Sequence, residues 1–318
     1  MADKSNIMIF SGSAHPELAQ EISEILGIPV GKCSLGKFSD GETSVNISET
    51  VRGRDVYVIQ PTCDPVNDNL MELCIMIDAM KRASAGKINA VIPYYGYARQ
   101  DRKAKPRDPI SSKLVADIIG VAGAADVMTI DLHAPQIQGY FNIPVNHLEG
   151  MPVLAKYFLE KNFAAKDLVI VSPDHGSVTR ARNFAHYFNC PIAIIDKRRP
   201  KANVSEVMNI IGDVNGKTCL LVDDMIDTAG TITNAANALT QFGATEVYAC
   251  ATHPVLSGPA IERIQNSSIK EMVLLNTMPL PKEKQIDKIT ILSVAPLLAE
   301  AMRRIINNES VSVLYNHD

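Results

Sequence analysis

Short apolar runs rich in valine and isoleucine alternate along the chain with longer stretches of helical character. The runs are IMIF at 7, VYVIQ at 56, NAVIP at 89, DVMTI at 126, LVIVS at 168, CLLVD at 219, EVYACA at 246 and EMVLL at 271. Such runs are typical of buried strands, and their alternation with helices predicts α/β domains in which a mainly parallel sheet is flanked by helices. Because parallel sheets bind ligands at the carboxyl ends of their strands, we expect the functional residues there.

Two stretches of the chain resemble each other. GAADVMTIDLH at 123–133 matches GATEVYACATH at 243–253 in its Gly-Ala start, its acidic residue, its valine and its final histidine. The strands upstream of these two stretches end at Pro93 and Val222. The first half therefore has extra residues between its strand and Gly123. We therefore predict two similar domains, 1–149 and 150–318, with a basic loop at 99–110 inserted in the first and the last residues packed on the N-terminal domain. A chance match is the alternative.

Length, composition and charge limit the function classes. The chain has 318 residues, which suits two domains, and its 46% hydrophobic and 21% charged residues are ordinary for a globular protein. It contains no apolar run of the length that crosses a bilayer and no secretory leader pattern, so we expect neither membrane binding nor export. Six cysteines without a Cys-x-x-Cys pair predict buried, reduced thiols and a cytoplasmic location. The net charge of -4 argues against a nucleic-acid partner, although a local cluster of cations can still bind a small polyanion.

The segment TCLLVDDMIDTAGTITNAANALTQFGA, which begins at Thr218, combines a buried strand, two carboxylates, a loop of small residues and a helix. Backbone amides of the 228–231 turn and the positive end of the helix can hold a phosphate, and the carboxylates can bind sugar hydroxyls or a divalent cation. The alternative is an ordinary strand-to-helix turn in which one of the acids caps the helix. The coincidence of these parts indicates a site for phosphorylated ribose, formed by Asp223, Asp224, Asp227, Thr228, Ala229, Gly230 and Thr231.

Five further motifs occur in order: FSDGE at 38–42, PYYGYARQDRK at 93–103, DLHAPQIQGYF at 131–141, SPDHGS at 172–177 and DKRR at 196–199. The Asp223 loop resembles the signature of the phosphoribosyltransferase-type fold, and the whole set resembles the ribose-phosphate diphosphokinase family, in particular its phosphate-dependent, allosteric bacterial class. The resemblance implies two similar phosphoribosyltransferase-type domains and transfer of diphosphate from ATP to ribose 5-phosphate, with Mg²⁺ as cofactor. It also implies a homo-oligomer, a hexamer, with phosphate and ADP as effectors.

Two of these motifs form the expected ATP site. Phe38 offers an aromatic face for adenine, Asp40 and Glu42 offer hydrogen-bond acceptors, and Arg99 can bind triphosphate oxygens in bidentate fashion. Taken alone, a phenylalanine in such a run is more often a core residue than a ligand. The basic residues from Arg99 to Arg107 read alternatively as a solvated loop, and for the last four that reading is as good as a role in gating the substrate. The resemblance implies that the FSDGE loop serves the ATP site of a neighbouring subunit, so that ATP is bound by Phe38, Asp40, Gly41, Glu42, Arg99 and Gln100.

The resemblance assigns metal binding to His133 and Asp174, and catalysis to Lys197 and Arg199, with Arg199 also contacting substrate. Because imidazole is an uncommon ligand for Mg²⁺, we expect Asp174 and phosphate oxygens to supply most of the affinity. The segment DKRRPKA at 196–202 packs four cations around a proline, which favours an exposed loop over a strand or helix. The alternatives are that His133 is structural, that the turn at Asp174 is an ordinary strand-to-helix turn, and that 196–202 is a solvated basic loop.

Two features concern detail and regulation. Relatives usually have glycine where this chain has Ser177. If that position needs a positive φ, serine would cost about 1 kcal/mol or more. The assignment still holds, because the serine hydroxyl could donate to a phosphate. The polar tail ESVSVLYNHD resembles an allosteric phosphate or ADP site, with Ser310 and Ser312 as ligands and Arg52 as a partner. Ordinary packing of the tail is the alternative.

Two other function classes fit part of the pattern. A phosphoribosyltransferase would consume 5-phosphoribosyl 1-diphosphate and commonly needs only one domain with the Asp223 loop. A catalytically silent regulatory subunit would be expected to lose DKRR or the Asp223 loop, and this chain has both.

Overall fold

The computed structural model describes residues 6–161, 163, 167–198 and 207–314. Its first half contains a five-stranded parallel sheet of order β1-β4-β5-β6-β7 and an antiparallel pair, β2-β3. The strands are β1 (Ile7–Ser11), β2 (Cys33–Lys37), β3 (Thr43–Ile47), β4 (Asp55–Ile59), β5 (Lys87–Ile92), β6 (Asp126–Ile130) and β7 (Val145–Leu148). The helices are α1 (Pro16–Leu26), α2 (Val66–Arg82), α3 (Ser111–Ala122) and α4 (Met151–Glu160).

The second half contains a seven-stranded sheet of order β10-β9-β8-β11-β12-β13-β14, in which β10 is the antiparallel strand. The strands are β8 (Leu168–Ser172), β9 (Ile192–Arg198), β10 (Val207–Ile211), β11 (Thr218–Met225), β12 (Glu246–His253), β13 (Ile269–Leu275) and β14 (Ile289–Leu292). The helices are α5 (Val178–His186), α6 (Gly230–Gln241), α7 (Ala260–Gln265) and α8 (Ala295–Ile306). No helix in the described ranges is long and apolar enough to span a bilayer.

The two halves repeat one sequence of elements: strand, helix, antiparallel hairpin, strand, helix, strand, helix, two further strands and a last helix. This repeat confirms the predicted pair of similar α/β domains, each with a mainly parallel sheet flanked by helices. The repeat pairs β5 with β12, however, whereas the sequence match had paired the β6 stretch at 123–133 with 243–253. That match was wrong by one strand, because buried strands that follow a Gly-Ala turn resemble each other. The extra residues still follow β5, where the loop at 93–110 replaces the short connection at 254–259.

The main hydrophobic core extends through both halves. α1 packs against α8, and α4 packs against β12 and β13. Ile22 of α1, Phe158 of α4 and Leu298 of α8 are fully buried members of this one core. Burial of aliphatic and aromatic side chains is the dominant stabilising contribution in a fold of this kind, so the association of the two halves is part of the fold itself.

All eight apolar runs lie in strands, as predicted. All six cysteines are free, and four of them are buried, which agrees with the expectation of reduced thiols. The interpretation of 196–202 as a loop was wrong at its start, because residues 196–198 continue β9 and pair with β10. Hairpin pairing supplies backbone hydrogen bonds that composition does not reveal, and it buries Asp196 despite the cations that follow.

Candidate active site

The loop predicted to bind ribose phosphate joins β11 to α6. Ala229, directly before α6, has a φ of 59°, so the left-handed residue of this turn is Ala229 and not Gly230. Gly230 instead permits a close approach, because a Cβ there would lie 3.2 Å from Arg263 Nη1, which also donates to the Thr228 carbonyl at 2.9 Å. A cavity of about 150 Å³ opens onto the amino end of α6, where backbone N–H groups lack helical partners. Its lining includes Asp174, Asp223, Asp227, Thr228, Ala229, Gly230 and Thr231.

The acidic pair at the end of β11 has two distinct environments. Burial and the adjacent charge of Asp224 raise the pKa of Asp223 to about 7. Burial also acts to raise the pKa of Asp224, but the hydrogen bond to His133 and the charge of Arg180 outweigh it and hold that pKa below its ordinary value. Asp224 is therefore the permanent anion, and Asp223 is the group that a bound cation would help to ionise.

His133 reaches this pair from the other half of the chain. It lies just beyond β6, and its Nδ1 is 2.7 Å from Asp224 Oδ2. The bond to Asp224 raises the pKa of His133 against the opposing effect of burial. The contact uses Nδ1, so Nε2 is the ring nitrogen left for a ligand or a metal.

The SPDHGS turn contacts one carboxylate of this pair, Asp223. The Ser177 backbone N–H donates to Asp174 Oδ1 at 3.0 Å, and its hydroxyl donates to Asp223 Oδ1 at 3.1 Å. Ser177 has a φ of -93°, so the backbone strain that a positive φ would impose on serine is absent. In the structure this hydroxyl donates to a carboxylate, and its donation to a bound phosphate stays a prediction.

Arg99 forms a second bridge between the halves. Its Nη1 donates to Asp227 Oδ2 at 2.5 Å, and its guanidinium remains 52% exposed. Gln100 accepts a hydrogen bond from Ser111 and is exposed. Both residues line a cavity of about 520 Å³ between the loop that follows β5 and the amino end of α2. This cavity and the ribose-phosphate loop meet at the pair formed by Arg99 and Asp227.

The FSDGE residues lie elsewhere, at the tip of the β2-β3 hairpin. Gly41 has a φ of 93°, and the Phe38 N–H donates to the Glu42 carbonyl at 2.8 Å, so the turn is closed by its own backbone. The Phe38 side chain is 57% exposed, and Asp40 and Glu42 are exposed too. The structure therefore excludes a core role for Phe38 within this chain and does not bring the hairpin tip to Arg99.

Two sets of predicted site residues are described only in part, or lie apart from each other. Lys197 lies in β9 opposite Met208, but its side chain and the whole of Arg199 lie outside the described residues. Ser310 and Ser312 are exposed, with their hydroxyl oxygens 2.6 Å apart. The backbone of Arg52 forms an isolated antiparallel β-bridge with Ala85. Within the described ranges no hydrogen bond or ion pair joins Arg52 to either serine.

Sequence reasoning missed two arginines. Arg180, on the first turn of α5, is close enough to influence the charges of Asp223 and Asp224. It lies three residues after Ser177, on the same helical face as the SPDHGS turn, and this spacing was the available signal. Arg263 of α7, which donates to the Thr228 carbonyl, had no local signal, because only the tertiary fold brings α7 to the loop.

The donor set suits a hard divalent cation that also binds substrate oxygens. Among the described residues no group of three or more His, Cys, Asp or Glu side chains has the spacing of a complete protein metal site. Asp174 and Asp223 nevertheless line one cavity, and the pKa of Asp223 is raised by burial and by the charge of Asp224, both of which a bound cation would offset. Mg²⁺ is commonly bound by one or two carboxylates and completed by substrate phosphates and water, so these residues fit it.

Comparisons with known proteins identify the family of the chain. Residues 7–123 match the N-terminal domain of ribose phosphate pyrophosphokinase, and residues 199–316 match the phosphoribosyl synthetase-associated domain. The chain is 68% identical to ribose-phosphate pyrophosphokinase of Clostridium perfringens and 67% identical to that of Caldanaerobacter subterraneus, in each case over 98% of both chains.

The fold also matches a solved structure of the same kind. The crystal structure of phosphoribosylpyrophosphate synthetase from Mycobacterium smegmatis superposes with a TM-score of 0.90 at 44% identity, covering 95% of this chain and 99% of the other. Full-length identity well above half, two matching domain models and a superposable fold lead to one conclusion. The chain belongs to the ribose-phosphate pyrophosphokinase family.

Proposed function

We propose that this chain transfers the diphosphate group of ATP to the anomeric hydroxyl of ribose 5-phosphate, giving 5-phosphoribosyl 1-diphosphate and AMP. The observation that carries the proposal is that His133 and Arg99 of the first half contact Asp224 and Asp227 of the ribose-phosphate loop. A site shared by two such halves can align a nucleotide and a sugar phosphate for direct transfer, which is most of what this chemistry requires.

Ribose 5-phosphate binds in the loop between β11 and α6. Its phosphate accepts hydrogen bonds from the backbone N–H groups and hydroxyls at 228–231, at the positive end of α6. Its vicinal hydroxyls donate to Asp223 and Asp224. Asp227, which Arg99 holds from the opposite half, completes the wall of the cavity.

ATP binds beside Arg99 and Gln100, in the larger cavity that adjoins the sugar site. The FSDGE loop is exposed at a hairpin tip, which supports a role in the ATP site of a neighbouring subunit for Phe38, Asp40, Gly41 and Glu42. There Phe38 stacks on adenine. This assignment needs a homo-oligomer, and we propose a hexamer with phosphate and ADP as effectors near Arg52, Ser310 and Ser312.

Mg²⁺ would be held by His133 and Asp174, with Asp223 contributing a second carboxylate and substrate phosphates completing the shell. When bound, it would neutralise charge on the phosphates and polarise the β-phosphorus. The residues of the chain align the anomeric oxygen with that phosphorus, and AMP leaves on the opposite side. No protein nucleophile is required. Lys197 and Arg199 stabilise the negative charge on the moving diphosphate.

We also propose a division of the chain near 149/150. It is supported by packing: α4, the last helix of the first repeat, follows this point and packs on β12 and β13 of the second sheet. α8, at the other end of the second half, packs on α1 of the first. A cytoplasmic location remains a proposal based on the free cysteines.

The direct test measures AMP released from ATP in the presence of ribose 5-phosphate and magnesium, with no nucleobase, and with or without inorganic phosphate. We expect AMP and 5-phosphoribosyl 1-diphosphate in equal amounts. If product forms only when a base and 5-phosphoribosyl 1-diphosphate are supplied, the chain is a phosphoribosyltransferase. If both ligands bind without turnover, it is a regulatory subunit.

The catalytic assignment has its own variant. Lys197→Ala should lower kcat by at least about a hundredfold with smaller changes in KM, because the lost charge acts mainly on the transition state. Lys270→Ala is the matched control, since Lys270 is exposed and pairs with Glu246 on a distant part of the sheet. Near-normal turnover of Lys197→Ala would remove Lys197 from the mechanism.

A further inference from the structure

Polar groups of the second half bind the end of β6 at Asp131. Its Oδ2 accepts hydrogen bonds from the Gly150 N–H at 3.1 Å and from the Thr252 hydroxyl, and its carbonyl oxygen is 3.0 Å from His253 Nε2. A carbonyl can only accept, so His253 Nε2 carries the proton and Nδ1 faces the Thr277 hydroxyl at 2.9 Å. The tautomer of a fully buried histidine is thus fixed by its two partners.

The backbone around Asp131 is held on every side. Its φ of 39° is unusual for a residue other than glycine, although aspartate and asparagine tolerate it better than most. Its N–H donates to the Leu148 carbonyl at 2.9 Å, and the next N–H, of Leu132, donates to His147 Nε2 at 2.9 Å. These bonds define the direction in which the chain enters His133.

Gly150 leaves no space beside this carboxylate. A Cβ at position 150 would lie 3.0 Å from Asp131 Oδ2, 2.9 Å from Thr252 Oγ1 and 2.7 Å from Leu275 Cδ1. Cβ atoms essentially never lie closer than 3.0 Å to another atom, so the contacts with Leu275 and Thr252 require glycine at position 150. The hydrogen bonds from Gly150 and Thr252 occupy Asp131 Oδ2 with protein donors.

We propose that Asp131 is a positioning residue that fastens the end of β6 to the end of β12, and thereby holds His133 against Asp224. The inference rests on the proposed function, because it takes the site of His133 and Asp224 to be the reaction centre. It assigns Asp131 an acceptor role toward Thr252, Gly150 and His253. A role as a metal ligand would instead depend on its negative charge.

This distinction determines the variants. Asparagine keeps a side-chain oxygen that can accept from Gly150 and Thr252 but removes the charge, whereas alanine removes both. Asp131→Ala should lower kcat about tenfold or more while each KM changes less than about threefold, because misplacing a group at the reaction centre affects turnover before binding. The kcat of Asp131→Asn should stay within about threefold of the parent value. Thr252→Val should lower kcat, as Asp131→Ala does.

Asp126→Ala is the matched control. Asp126 is a buried aspartate at the opposite end of β6, and its partners Asn146 and Lys87 both belong to the first half. It should lose stability but keep kcat. The double variant of Asp131→Ala and Thr252→Val should be no slower than the slower single variant, because both changes break the same contact.

The inference is overturned if Asp131→Asn is as slow as Asp131→Ala, which would indicate a need for charge, or if Asp131→Ala retains kcat within twofold. It is also overturned if the kcat of the double variant falls by the product of the two factors measured for the single variants. If Asp131→Ala does not fold, Thr252→Val decides, and full turnover of that variant counts against the proposal. Failure of the proposed function is distinguishable, because the parent chain would then release no AMP from ATP and ribose 5-phosphate.

Discussion

Asp223→Asn should make the ligand-free protein more stable while abolishing its activity. The asparagine oxygen can still accept the hydrogen bonds that Asp223 Oδ1 receives from the Ser177 hydroxyl at 3.1 Å and the Asp224 N–H at 2.9 Å. Only the charge is lost. That charge lies in a buried position beside Asp224, where nothing in the ligand-free site fully compensates it.

The magnitude follows from the pKa of Asp223, which rises from an ordinary 3.8 to about 7. One unit of difference between folded and unfolded states corresponds to about 1.4 kcal/mol, so ionised Asp223 disfavours folding by up to about 4 kcal/mol above pH 7. Rearrangement of neighbouring side chains and water in the folded protein offsets part of this cost, so we expect a gain of about 2 kcal/mol. Because the folded pKa is the raised one, the penalty is absent below pH 4, grows as the pH rises, and is complete above pH 7. The gain should therefore fall to about half between pH 8.5 and pH 5.5.

Urea unfolding of both proteins with a metal chelator, at one protein concentration, measures the difference directly. Asp287→Asn is the control, since it removes the same charge from an exposed position and should leave the free energy of unfolding within about 0.5 kcal/mol. The reasoning is refuted if Asp223→Asn is less stable than the parent at pH 8.5, or if its advantage does not shrink on acidification.

Four further outcomes are expected. Ser177→Gly should lower stability by about 1 kcal/mol in thermal or urea unfolding, because the φ of -93° offers no strain to relieve and the bond to Asp223 is lost; a more stable variant would contradict this. Arg99→Ala should change stability by less than about 1 kcal/mol, since the pair with Asp227 is largely exposed, yet raise the KM for ATP; an unchanged KM would remove Arg99 from the ATP site. Phe38→Ala should leave the melting temperature unchanged and raise the KM for ATP, as steady-state kinetics would report. Gly230→Ala should raise the KM for ribose 5-phosphate by pushing the Arg263 guanidinium from the loop, and Arg263→Ala should partly rescue it.

The central strands were predictable because each is a run of apolar residues buried on both faces. The hairpin strands β2, β3, β9 and β10 were not recognised, since strands exposed on one face mix polar and apolar residues. The end of β9 shows the reason most clearly. Asp196 to Arg198 read as loop, yet pairing with β10 keeps them in the sheet. Hydrogen bonds to a partner strand are made by the backbone, which composition does not report.

The ribose-phosphate loop was predictable for a different reason. Its carboxylates, small residues and helix start are consecutive, so one segment of sequence holds the whole arrangement. Contacts between segments distant in sequence were not predictable in this way. Nothing local to Arg99 indicates Asp227, and nothing near Arg263 indicates Thr228. The hydrogen bond from Ser177 to Asp223 likewise depends on the pairing of β8 with β11.

The packing of α1 on α8 also imposes an order on synthesis. Leu18, Ile22 and Leu26 of α1 are buried in a core that α8 completes, and α8 begins about 270 residues after α1 ends. At about 5 to 20 residues per second, the ribosome needs roughly 15 to 55 s to supply that helix. During this interval the part of the α1 surface that α8 covers in the folded protein lacks its partner. The nascent chain is therefore most exposed to aggregation and most dependent on chaperones at its own beginning, and a truncation within α8 should damage the first half of the molecule before the second.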